Sequence, residues 1–328
     1  MRRPRATSYK VLIAICCTAW IAANGRLSAQ AGRLVLTESG RHVMPGHVLV
    51  RGGALSPRGD ASLFWSGDTV WIASTRHAEA RAVCPERVRA PLGAAFVSTP
   101  AAGGAPVIEI IDGGMAGADE PQIIRFSDDQ CRAIAWSGPD PSLPTARDAT
   151  GWVSASGTGL GGPNGIPTPR ASLVRRDGTP FSPSGVDLPI AWSDSAAISV
   201  SSGPRGIIVS SRHFPFAWSA AADGRDRTVA GRIPASNETY YASDPWVGTG
   251  VFTLDSGFVQ VLADLASDRR HLVFYDSSGA FRRRRVIDVP FGILDTAPDR
   301  RQLLALRRTD RVEILTYEWT WQPHRARK

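Results

Sequence analysis

Between Phe258 and Trp321 the chain is a succession of short apolar runs cut by turn residues. FVQVLAD is followed by a break at Ser267-Asp268-Arg269. HLVFYD is followed by Ser277-Ser278-Gly279, and AFRRRRVIDV by Pro290. GILDTA, a break at Pro298-Asp299-Arg300, QLLALRR and RVEILTYEWTW complete the stretch. Runs rich in β-branched, leucine and aromatic residues, bounded by Asp, Ser and Gly, read as antiparallel strands. The same grammar holds upstream. RLVLT (Arg33–Thr37), SLFW, TVWIAST, AAFVST, PVIEII, QIIRFS, CRAIAWS, ASLVRR, SAAISVSS, GIIVSSRHFPFAWS and RTVAGRI are strand candidates, and SLFW and TVWIAST form a hairpin across Ser66-Gly67-Asp68. No helical periodicity exceeds two turns, so the chain is all-β. Residues 137–170 are rich in Gly and Pro and read as a surface loop or rim insertion, with one strand at Trp152–Ser156.

The strands recur. Turns near Glu79, Asp129, Asp177, Asp223 and Asp276, each placed between the last two strands of a unit, are spaced 50, 48, 46 and 53 residues apart. A period of this size with about four strands per unit is that of a β-propeller blade. The expected fold is a β-propeller of six four-stranded blades; the poor legibility of residues 137–170 leaves five or seven open. The unit after Pro290 holds only three strands, and Arg33–Thr37 stands alone at the other end. Supplying the missing outer strand from the N-terminus closes the ring and removes open sheet edges.

The segment from Val259 to Trp319, with Phe274-Tyr275-Asp276, the turn Ser277-Ser278-Gly279 and a following strand of opposite polarity, resembles the C-terminal two blades of six-bladed propellers of the NHL/TolB-like group, which includes secreted bacterial members. The resemblance covers Val251–Trp319, is fainter over Ala191–Ile233, and implies a fold before it implies an activity. Many such propellers bind partners or ligands; the gluconolactonase-like ones are metal-dependent hydrolases. No motif here carries their metal ligands over.

Met1 to about Ala29 reads as a secretory signal peptide: Arg2, Arg3, Arg5 and Lys10, an apolar core from Val11 to Ala23, and the small-residue exit Leu27-Ser28-Ala29 before Gln30. That core is shorter than the roughly 20 residues a spanning helix needs. Cys16 and Cys17 lie within it behind Ile15, which excludes a lipoprotein signal. The expected mature chain, residues 30–328, is one propeller domain in a secreted or periplasmic setting, monomeric and without a transmembrane span. Removing residues 1–29 takes away five basic residues and no acid, so the formal net charge falls from +8 to +3. Scattered arginines at that balance argue against a nucleic-acid partner. Cys84 and Cys131, the two mature cysteines, form a disulfide in an oxidising compartment or remain two buried thiols; a bond would close a loop worth roughly 4 kcal/mol of chain entropy.

Candidate chemistry is sparse. The run Arg282–Arg285 falls on an outer strand, where charge discourages edge pairing. Most mature tryptophans lie within strands and read as packing between blades. Trp246, in the loop SDPWVGTG beside Asp244, and Arg212 with His213, in SSRHFPF, are the candidate ligand-binding residues, because they sit where the chain enters or turns at one end of a blade. The histidines lack metal-ligand spacing, and His42 and His47 merely flank a turn. Asp112-Gly113-Gly114 with Asp119 and Glu120 reads as a solvated loop, lacking the ligand alternation of a calcium site. No catalytic motif is present. The expected function is a non-catalytic module binding a protein, peptide or glycan, with no cofactor. The alternative is a gluconolactonase-like hydrolase or lyase holding a divalent metal, such as calcium, at the channel mouth.

Overall fold

The computed structural model describes residues 33–44, 48–74, 79–98, 106–114, 119–138, 140–141, 143, 145–147, 151–161, 167–177, 179, 186–187, 198–203, 206–211, 216–220, 227–231, 246–254, 257–264, 269–276, 281–287, 292–297 and 301–322. These carry twenty-four strands in six four-stranded sheets. The first sheet is β2 (Gly52–Leu55), β3 (Ala61–Trp65), β4 (Val70–Ser74) and β5 (Ala80–Val83). The second is β6 (Pro91–Ser98), β7 (Val107–Asp112), β8 (Gln122–Ser127) and β9 (Gln130–Ala135). The third is β10 (Thr145–Arg147), β11 (Trp152–Gly161), β12 (Pro167–Arg175) and β13 (Val186–Asp187). The fourth is β14 (Ile198–Gly203), β15 (Gly206–Ser211), β16 (Phe216–Ala220) and β17 (Arg227–Gly231). The fifth is β18 (Trp246–Leu254), β19 (Gly257–Asp264), β20 (Arg269–Asp276) and β21 (Phe281–Ile287). In the sixth, β22 (Gly292–Ala297), β23 (Gln302–Arg308) and β24 (Val312–Gln322) are followed in space by β1 (Arg33–Met44). By internal contacts, Met1–Leu36 with Trp319–Lys328 form one unit and Thr37–Glu318 another. The described part of the former is the ends of β1 and β24.

The first five sheets and β22–β24 of the sixth are antiparallel meanders, and the first strands lie against one another: β2 against β22 and β6, β10 against β6 and β14, and β18 against β14 and β22. Four-stranded meanders placed side by side through their first strands define a β-propeller. Each of the five turns that set the repeat period falls between the third and fourth strand of its sheet.

Both faces of a sheet are buried against neighbours, which is why the strands read as near-continuous apolar runs. In β3, Leu63 joins a cluster with Val70, Ile72, Ile108, Ile110 and Phe126 between the first and second sheets. Its neighbour Phe64 turns the other way and packs with Leu304, Leu306 and Ile314 of the sixth. The alternation recurs in β7: Ile110 faces the first sheet, and Ile111 packs with Trp152 of the third. Ile208 and Ala217 meet Val251, Phe258 and Val273 between the fourth and fifth.

Two expectations are corrected. Residues 137–170 are no mere loop, for they contain β10, β11 and the start of β12. Their glycines and prolines hide the strand signal but fit the ladder: Gly159 lies opposite Pro169 and Gly161 opposite Pro167. Strand β13 pairs at Arg170 and Ala171, so among the described residues the proline end of β12 has no partner on that side needing an N–H. The N-terminal strand is also longer than Arg33–Thr37, running on through a polar stretch to Met44. Its later residues alternate: His42 and Met44 are buried, while Arg41 and Val43 are exposed.

Candidate functional site

The buried carboxylates hold sheets together. Glu109 on β7 takes the Arg125 guanidinium at Oε1 (2.9 Å) from the facing position on β8. Its Oε2 accepts from Arg147 Nε (2.8 Å) and Trp152 Nε1 (3.0 Å), both from the third sheet. A carboxylate desolvated among two guanidiniums and an indole N–H is an inter-sheet latch, with both oxygens occupied. Asp112 is fully buried; Oδ1 accepts the amides of Arg89 (3.1 Å) and Ala90 (2.6 Å), and Oδ2 faces Gln122 Nε2 at 3.4 Å. The reading of Asp112 as part of a solvated loop is therefore corrected: it fastens the connection between β5 and β6. In the sixth sheet Glu313 receives Arg41 Nη1 (3.2 Å) and Arg307 Nε (2.5 Å), tying β1 to β24 and β23. Asp295 Oδ2 accepts the Leu55 amide at 2.6 Å, linking β22 to β2.

Around this tie the charges are ordered. Arg41 donates to both oxygens of Glu38, and that hydrogen bonding, against some burial, holds the Glu38 carboxyl below the ordinary glutamate range. Burial, followed by the Glu38 charge, pushes the Tyr317 hydroxyl up.

Cys84 and Cys131 are bonded, with Cα atoms 5.9 Å apart, joining the first and second sheets. Four tryptophans pack between sheets as expected: Trp65 and Trp71 on either side of the first sheet, Trp136 and Trp152 between the second and third. His42 is buried with its ring 6.3 Å from that of Phe64, while His47 lies outside the described residues. Among the described residues no group of three His, Cys, Asp or Glu side chains is arranged to hold a metal ion, and no helix is long and apolar enough to cross a membrane.

Of the ligand-binding candidates, Arg212, His213 and Asp244 lie outside the described residues. Trp246 is the first residue of β18, opposite Asp264. Strand β15 ends at Ser211 opposite Ile198, the first residue of β14, so Arg212 and His213 follow a strand that finishes at the entry end of its sheet. Trp246 marks the entry end of the next.

At the end of β1, the entry to β2 and the turn from β23 to β24, several described side chains that the sequence did not single out are exposed. Val43 and Leu49 are 49% and 57% exposed, the exposed large apolar residues among those described. Leu49 leads into β2 beside Val50, whose carbonyl accepts from Arg308 Nη2 (3.3 Å). Arg51, also exposed, donates its amide to the Trp65 carbonyl (2.8 Å). The turn from β23 to β24 adds exposed Asp310 and Arg311. The Thr309 hydroxyl donates to Asp310 and keeps that carboxyl below its ordinary range. In sequence Val43 and Leu49 are indistinguishable from core residues, because a strand pattern does not tell which apolar positions a neighbouring sheet covers.

The fold is that of a β-propeller, with exposed apolar and cationic side chains at the entry to β2 and the turn from β23 to β24. No protein-family model matches the chain, and no curated protein matches it. Solved structures do. One, from the crystal structure of a Nidogen/Laminin complex, is 11% identical over 77% of this chain and 93% of the other, with a TM-score of 0.44. Another, the β-propeller domain of Myceliophteria thermophila Cps50 (Swd1), is 12% identical over 81% of this chain and 83% of the other, with a TM-score of 0.42.

Proposed function

We propose that this is an exported, six-bladed propeller of NHL/TolB-like kind, closed by its own N-terminal strand, that works as a non-catalytic module binding a protein or peptide. Six blades are supported by the circuit of first strands β2, β6, β10, β14, β18 and β22, each lying against the next and the last against the first. Closure is supported by β1 standing beside β24 as the fourth strand of the last sheet. Export rests on the leader-like residues 1–29.

The observation that carries binding is the exposure of Val43 and Leu49, with Arg51 next in the chain to Val50 and Arg308 hydrogen-bonded to the Val50 carbonyl. Aromatic, apolar and arginine side chains are the ones enriched at protein-recognition surfaces. Arg212, His213, Asp244 and Trp246 remain the candidate ligand-binding residues in this reading, Trp246 as the first residue of β18.

The test uses purified mature protein in two arms. Metal analysis, with melting recorded with and without chelator, should give a metal-free protein indifferent to chelation; a stoichiometric divalent ion whose removal lowers Tm would overturn the non-catalytic reading in favour of a gluconolactonase-like hydrolase. Capture from an extract of the source cells should retain a partner on the wild type that is lost on Leu49→Asp/Arg311→Glu. Equal retention on both would overturn the rim as the site.

A further inference from the structure

The run Arg282–Arg285 is used by none of the latches described. It occupies β21, the last strand of the fifth sheet, which among the described residues pairs with β20. Arg285 stands opposite Leu272, Arg284 opposite Val273 and Arg283 opposite Phe274; Tyr275 then pairs with Phe281, leaving Arg282 as an extra, bulged residue. Together β20 and β21 contain six arginines and one acid, Asp276. At about 3.3 Å per residue the four consecutive arginines line roughly 10 Å of strand. Alternation assigns successive residues of a strand to opposite faces, so the run divides between the two faces of one outermost strand.

From this placement we infer that β21 is a docking edge for an anionic phospholipid surface. Four cations in a row along an outer strand fit an extended plane of negative charge better than a single small anion. A second copy of the chain is disfavoured as occupant, because edge-to-edge pairing would set one arginine run against another. A single-stranded nucleic acid wants aromatic residues interleaved with the cations for base stacking; β21 has only Phe281, at its start. On this one point the inference rests on the export proposed above, which would deliver the chain to such a surface. This inference is independent of the rim formed by Val43 and Leu49, and either stands if the other fails.

The experiment is co-sedimentation of the mature protein with vesicles of phosphatidylcholine alone or with added phosphatidylglycerol, across a sodium chloride series. The wild type should bind only the vesicles containing phosphatidylglycerol and be released by salt. A variant with Arg282→Gln, Arg283→Gln, Arg284→Gln and Arg285→Gln should lose affinity on the order of a hundredfold at low salt. Arg87→Gln/Arg89→Gln/Arg132→Gln/Arg301→Gln, with the same net charge, should bind nearly as the wild type. If the quadruple edge variant melts abnormally, the pair Arg283→Gln/Arg285→Gln replaces it, with roughly a tenfold loss expected. Equal loss in both quadruple variants would reduce the effect to net charge and overturn the proposal. So would equal binding to neutral vesicles, or retention of a duplex oligonucleotide without retention of anionic vesicles.

Discussion

The indole of Trp65 lies over Gly52, its register partner on the innermost strand of the first sheet: a Cβ on Gly52 would stand 2.2 Å from Trp65 Cζ2. The large residue on β3 and the absent side chain on β2 are one packing unit. It lets Trp65 reach the cluster between the first and second sheets.

Gly52→Ala should therefore destabilise the protein by about 1–3 kcal/mol, the usual range for overpacking. In a Trp65→Leu background the same change should cost much less. Urea midpoints of the four proteins in this double-mutant cycle measure the coupling; additivity would mean that the two residues do not share a space.

Glu109→Ala should cost about 3 kcal/mol, since it strands Arg147, only 10% exposed, together with the Trp152 N–H. Near-UV circular dichroism should show a changed Trp152 environment alongside the loss. An unaltered denaturation midpoint would sink the latch.

Reduction of the Cys84–Cys131 bond, or Cys84→Ser/Cys131→Ser, should lower stability by roughly 2–4 kcal/mol, as expected for opening a loop of 47 residues. Thermal melts with and without reductant check this. The wild type should respond to reductant and the double variant should not.

Alkali should destabilise the sixth sheet through Tyr317. Its hydroxyl titrates higher folded than unfolded, because burial and the Glu38 charge oppose ionisation. The contribution is thus complete below the ordinary tyrosine range and is lost as pH rises through the folded value. Stability profiles from neutral pH upward should fall in the wild type and stay flatter in Tyr317→Phe. Glu38 acts with the opposite sign: its folded value is depressed, so its contribution is present above the ordinary glutamate range and fades as acid carries the pH through the folded value.

Legibility followed the physics of each segment. FVQVLAD, HLVFYD and QLLALRR were plain as strands because sheets covered on both faces demand continuous apolar runs. The repeat period was equally plain, since tight turns need Asp, Ser and Gly at recurring positions. WVSASGTGLG and PTPRASLVR were not, because their glycines and prolines satisfy a ladder only through the register that pairs them and the two-residue β13 beside them. The cysteines announced a bond but not its place; their Cα atoms meet because β5 and β9 belong to neighbouring sheets.

The sequence by itself determined the all-β class, the strands outside residues 137–170 and the period of the repeat, all of which depend on residues close together in the chain. Only the tertiary structure decided that Glu109 and Asp112 serve as latches and that Val43 and Leu49 lie in water. Both depend on which sheet comes to rest against which, and a carboxylate or a leucine carries no local mark of the neighbour that will cover it.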